Sequence, residues 1–157
     1  MPATYEPIAS VTSTSTDITI SNIPSTYTDL VLVMSHLSTT DGPDLRIRFN
    51  GDTTSSYSRT FMYGFNDATA SGRESNQTWI LTAADDSQHT NVIHIMSYAN
   101  TNVFKTVLDS FGGAGRIVGR TVGLWRKTDA ITSINLTIAW AWASSGITVN
   151  LYGIKAA

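Results

Sequence analysis

Apolar and polar residues alternate along much of this chain with a period of two. Ile18 and Ile20 bracket Thr19, and Leu45, Ile47 and Phe49 enclose Arg46 and Arg48. Ile93 and Ile95 flank His94, while Ile134, Leu136 and Ile138 enclose Asn135 and Thr137. Ile147, Val149 and Leu151 do the same around Thr148 and Asn150. Successive side chains of an extended chain point to opposite faces, so each run predicts a strand with one buried and one wet face. Leu30-Val31-Leu32-Val33-Met34 is unbroken and predicts a central strand covered on both faces. Ile117 to Trp125 predicts another long strand, with Gly119 and Gly123 marking bulges or close approach of a second segment.

Turn-forming clusters separate these runs: Asp41-Gly42-Pro43-Asp44, Asn50-Gly51-Asp52, Ala70-Ser71-Gly72, Gly112-Gly113-Ala114-Gly115 and Ser144-Ser145-Gly146. The stretch from Thr53 to Gln77 is rich in Ser, Thr, Asn and Gly and is expected to be surface loop. No window carries a convincing stripe at helical spacing, and one helical turn around Ala83 to Ser87 is the only helix expected. About eight to ten strands at this spacing predict an all-β, two-sheet sandwich of the jelly-roll kind. Residues 1–157 are expected to form one such domain, with 1–8 as a candidate extended docking arm.

Composition sharpens this picture. A chain of 157 residues buries roughly 70% of its unfolded surface, enough for a core without staples. There is no cysteine, which excludes disulfides and thiolate metal sites. Only 14% of the residues are charged and the net charge is −2, so the basic excess of a duplex-binding protein is missing and no nucleic-acid partner is expected. Ser and Thr, 41 in all, supply the polarity instead. The N-terminus lacks the basic and apolar regions of a signal peptide. The longest apolar run, Ile138 to Ala143, is strand-sized, and no membrane partner is expected.

Reactive constellations are absent from the pattern. His36 and His94 fall in predicted strands and His89 in a polar loop, without the short spacing that puts two metal ligands on one face. Asp85-Asp86 lacks a partner acid for glycoside hydrolysis, since the only glutamates, Glu6 and Glu74, lie in expected surface segments. Asp41, Asp44 and Asp52 could offer oxygens to calcium, but the EF-hand pattern is missing and turn chemistry explains them. The glycine cluster at 112–115 is not followed by Lys-Ser/Thr, so it is no phosphate loop. No Gly-x-Ser-x-Gly elbow is present. Neither a catalytic residue nor a metal ligand nor a cofactor is therefore assigned.

What remains is surface. Trp140 and Trp142 share one strand face in an uncharged run and are expected to fill a core or a subunit interface. Arg46 and Arg48 project from one sheet face, and Arg116, Arg120, Arg126 and Lys127 cluster along one segment. Both groups could pair with acids of a partner, or simply be solvated.

Several stretches together give the chain a likeness. They are Tyr5-Glu6-Pro7-Ile8-Ala9, Tyr27 to Val33, Leu45 to Asp52, Tyr57-Ser58-Arg59-Thr60, His94 to Asn100, Phe104-Lys105-Thr106, Gly123-Leu124-Trp125-Arg126 and Leu151-Tyr152-Gly153-Ile154. With these the chain resembles small bacteriophage virion structural proteins of aquatic-bacterium phages. The resemblance implies a non-enzymatic particle component, made in the host cytoplasm and carried on the virion. The lack of heptads and of a stalk segment favours a capsid decoration or cement protein over a tail fibre. Its partners would be the major capsid protein or other virion proteins, and a symmetric homotrimer is expected. The interface candidates are Tyr5, Ile8, Arg46, Arg48, Trp140 and Trp142. The alternative is a tail-fibre or surface adhesin module that binds host glycans through exposed Tyr and Trp. A polysaccharide depolymerase ranks third, because it lacks the acid pair.

Overall fold

The computed structural model describes residues 5–38, 44–83, 88–114, 117–138 and 142–155. Twelve antiparallel strands lie among them. They are β1 (Tyr5–Ser13), β2 (Asp17–Ile20), β3 (Asp29–Ser38), β4 (Asp44–Phe49), β5 (Tyr57–Phe65) and β6 (Ala68–Gln77). Then follow β7 (Ile80–Ala83), β8 (Gln88–Met96), β9 (Lys105–Gly113), β10 (Ile117–Trp125), β11 (Ile134–Ile138) and β12 (Trp142–Ile154). They form two sheets, one of eight strands in the order β1-β12-β3-β8-β9-β10-β5-β6 and one of four in the order β2-β11-β4-β7. The fold is thus an all-β sandwich, and the described residues contain no helix. The turn expected around Ala83 to Ser87 falls largely on residues 84–87, outside the described residues.

The alternating runs account for the core. In the small sheet Ile134 lies opposite both Ile20 and Phe49, and Leu136 opposite both Ile18 and Ile47. All six are buried, while the intervening Thr19, Asn135, Arg46 and Arg48 face away from the core. The large sheet answers with Leu30, Leu32 and Met34 from β3, Ile93 and Ile95 from β8, and Val149 and Leu151 from β12. Each such side chain stabilises the fold by about 1.5–3 kcal/mol relative to exposure. Packing needs close approach at particular points. A Cβ on Gly123 would sit 2.7 Å from Ile80 Cδ1, so glycine there lets β7 seat on β10. This is the close approach expected of Gly123, and β10 pairs with both neighbours without a bulge.

Three sequence expectations need correction. Twelve strands are present rather than eight to ten, and two of the additional ones lie in the supposed surface loop. Within Thr53 to Gln77, β5 and β6 pair over their length through a turn at Asn66, whose φ of 52° is left-handed. The polar, glycine-bearing sequence of β6 hid the strand because most of its residues are exposed on both faces at a sheet edge. Gly72 belongs to that strand and not to a turn; a Cβ there would meet the Phe61 ring at 2.7 Å. Second, Val31 is buried and Val33 half-buried, but no second layer lies over that face among the described residues. Val31 is instead flanked in register by Tyr152 and His94. Third, the arm is not free from Tyr5 onward. Tyr5, Glu6 and Pro7 pair with Ile154, Gly153 and Tyr152, so β1 is an edge strand of the chain's own sheet.

Candidate interaction surface

The residues of greatest chemical interest lie inside the sandwich. His36, Thr82, His89, Asn91 and Asp109 are all buried. They come from β3, β7, β8 and β9, and Thr121 of β10 lies opposite Asp109. His89 is therefore a strand residue and not a loop residue; the polar neighbours that suggested a loop alternate to the opposite face. It faces His36 in register, with ring centroids 5.0 Å apart, and stacks on Phe111. One direction of donation runs from His36 to Asp109, while neither ring nitrogen of buried His89 has a hydrogen-bond partner among the described residues. His36 Nε2 donates to Asn91 Oδ1 at 3.1 Å, and Asn91 Nδ2 donates to Thr82 Oγ1 at 3.1 Å. The Thr82 hydroxyl in turn donates to Asp109.

Burial disfavours the charged form of each titratable group in this cluster. Burial pushes the Asp109 carboxyl up to about 7, against the opposing pull of hydrogen bonds from Thr82 and Asn91. Burial pushes His89 down to about 4, and the neighbouring His36 adds to the shift. His36 is lowered by burial too, although its bond to Asn91 opposes this. A cluster without solvent contact meets no substrate, and its chemistry here is that of a polar network locked into a core. Among the described residues, no three or more His, Asp or Glu side chains gather into a metal-binding group.

The aspartates and arginines offered by the sequence are mostly engaged within the chain. Asp52 accepts from Trp125 Nε1 at 2.7 Å, from Thr54 N and Oγ1, and from the Ser56 hydroxyl. Burial opposes ionisation, but these donors outweigh it and hold the carboxyl well below the usual range. Arg46 and Arg48 both lie over the Trp79 ring, at 4.3 and 5.1 Å from its centroid. Arg48 also donates to Thr78 O at 3.0 Å. Arg126 reaches Ser55 O at 2.7 Å. Tyr5 is exposed and packs edge-on against Tyr152, with centroids 6.4 Å apart. Ile8 is half-buried against the core. Trp140 lies outside the described residues, as do Asp41, Asp85, Asp86 and Arg116. Trp142 is placed only by its backbone, which opposes Ser38.

The surface that remains open is the outer face of the eight-stranded sheet. Strict alternation puts Val92 and Met96 of β8, Leu108 of β9, Val118 and Val122 of β10, and Met62 of β5 on that face, all exposed. Met62 and Val118 are 62% and 67% exposed, values far from those of a folded core. Register brings the side chains into rows: Val33 beside Val92, and Leu108 beside Val122. From β3 to β5 the patch crosses four inter-strand steps, about 19 Å at ~4.8 Å each. From Leu124 to Val118 it runs six residues along β10, about 20 Å at ~3.4 Å each. The projected area is then about 400 Å², within the ~300–600 Å² of the largest apolar patches on soluble monomers, which are often functional.

Few charges interrupt this face. Asp29 and His94 pair with each other at 3.1 Å. Arg120 lies in register with Met62, and Arg73 with Thr60. Both arginines are exposed, and neither makes an ion pair or hydrogen bond among the described residues. Met62, Tyr63, Ala70, Val118 and Arg120 also border an open depression of about 490 Å³ at one end of the patch. The sequence carried half of this signal, since Arg120 was among the clustered arginines. The aliphatic members stayed hidden because in a strand with alternating Val and Gly, either parity could have been the buried one. No family model matches the chain, and no curated protein sequence matches it.

Proposed function

We propose that this chain is a non-enzymatic bacteriophage virion structural protein, a capsid decoration or cement subunit that docks through the outer face of its large sheet. The observation that carries the reading is that broad aliphatic face, built on eight hydrogen-bonded strands and left outside the core. A rigid sheet loses little conformational freedom on docking, so modest contact area is used efficiently. On a capsid lattice many copies act together, and bridging two shell subunits raises the effective concentration of each further contact. The sequence resemblance to small phage virion proteins supports the same assignment. Major capsid protein is the partner proposed, and a homotrimer the proposed assembly.

The glycan-binding alternative depends on exposed Tyr and Trp, of which Tyr5 is exposed. Among the described residues Trp125 is buried and Trp79 is covered by two arginines, so neither offers a free ring face for stacking. Cryo-electron microscopy of particles carrying the protein tests the placement. Density for the sandwich is expected over junctions between shell subunits, with the large sheet turned inward. Density confined to the tail would refute the capsid role.

A further inference from the structure

Resting on the docking reading above, we infer that the surface received by the large sheet is acidic, with carboxylates placed to meet Arg73 and Arg120 beside an apolar strip. The argument begins with what the face lacks. Asp29, beside the patch, is taken by His94 and by the Ser97 backbone N–H at 2.7 Å, and Asp67 lies exposed in the β5–β6 turn at its end. Arg73 and Arg120 have no such partner on their own chain among the described residues. Elsewhere among the described residues the half-buried arginines are engaged within the chain. Arg59 forms a two-pronged pair with Glu74 at 2.8 and 2.9 Å, on the opposite face of the same hairpin. Among the described residues, the exposed and unpaired guanidinium groups both belong to the outer face.

The two arginines sit on β10 and β6, two strands apart and offset by one side-chain row, so their backbones are roughly 12 Å apart. Two separated cationic forks flanking Val122 and Met62 suit a protein surface with matching carboxylates, which guanidinium binds in planar, bidentate fashion. A second copy turned face to face fits less well, because it would set four arginines against only two copies of Asp67, the exposed carboxylate of the β5–β6 turn. The depression bordered by Met62, Val118 and Arg120 gives one apolar side chain of the partner a place to insert next to a charge-assisted hydrogen bond. Apolar centre and arginine rim together are the composition of interfaces that bind specifically.

Particles assembled without this chain provide the test. Wild-type protein is added to them across about 0.05 to 0.5 M salt, a range that takes screening from long to short distance. Binding is expected to weaken as salt rises. The double variant Arg73→Glu, Arg120→Glu is expected to bind at least about tenfold more weakly at low salt, as loss and reversal of two interfacial charges implies. The Lys-for-Arg double variant should retain part of the affinity, and unchanged circular dichroism and melting will verify that each variant folds. Val122→Asp should abolish binding at every salt concentration. If the charge-reversed protein binds as wild type while Val122→Asp does not, the acidic partner is wrong and the docking face stands. If instead Val122→Asp turns a soluble oligomer into monomers without affecting particle binding, a second copy covers the face and the inference is overturned. Failure of wild-type protein to bind any particle at any salt sinks the docking reading itself, and this inference with it.

Discussion

At the residue scale, two acids behave in opposite ways because Asp109 is buried while half-buried Asp52 gathers more donors. Asp52 gathers several donors, among them the Trp125 indole and two hydroxyls, and its carboxyl stays ionised to unusually acidic pH. A folded-state value below the unfolded one means that its contribution is present above the ordinary carboxylate range and fades as pH falls toward the folded value. Asp52→Ala is expected to cost about 2 kcal/mol, since it strands the Trp125 N–H and the hydroxyls of Thr54 and Ser56, and urea titration at neutral pH measures it. Asp109 is the reverse case. Its folded value, about 7, lies above the ordinary 3.8, so its contribution is full below pH ~4 and is lost as pH rises through 7. Asp109→Asn is expected to remove that part of the pH dependence between about 4 and 7, read from melting temperatures across that window; an unchanged slope would show that Asp109 is not its source. His89, lowered to about 4, and His36, also lowered, act in the other direction and lose stability as pH falls below about 6.5, so they oppose the Asp109 contribution across this window.

At the element scale, strand positions were legible wherever one face is buried and the other wet. β2, β4, β8, β11 and β12 carry that alternation, and all are strands. β6 was not legible, because an edge strand exposed on both faces has no reason to alternate and its polar residues look like a loop, and β5 falls within the same polar stretch. The opposite edge shows how a terminal segment can mislead. Residues 5–8 looked like an arm for a neighbour, yet they pair with β12, Ile8 packs on the core, and Glu6 bonds Lys155 at 2.8 Å. Pro7 and the register shift beside it then blunt that edge against further strand addition. Removing residues 1–8 is therefore expected to lower stability by about 1–3 kcal/mol, mainly through Ile8, as measured by thermal unfolding. A truncated protein as stable as the full chain would mean that the first half of β1 contributes nothing to the fold.

At the scale of the whole molecule, both sheets share one hydrophobic core, to which Phe49, Ile80 and Trp125 contribute from either side. Unfolding is expected as a single transition, with far-ultraviolet dichroism and tryptophan fluorescence superimposing; separated midpoints would show that the sheets melt independently. The outer face of the eight-stranded sheet carries no further layer among the described residues, which is the geometric origin of a large exposed face. The sequence by itself determined the all-β class, most strands and the identity of the core, since period-two alternation and burial are local properties of an extended chain. It also excluded disulfides and thiolate metal sites through composition alone. Only the tertiary structure decided that His36 meets His89, that Arg46 and Arg48 settle on Trp79, and that Val92, Val118, Val122 and Met62 share one open face. These are facts of register and strand order, which join residues far apart in the chain, and no local pattern encodes which strands become neighbours.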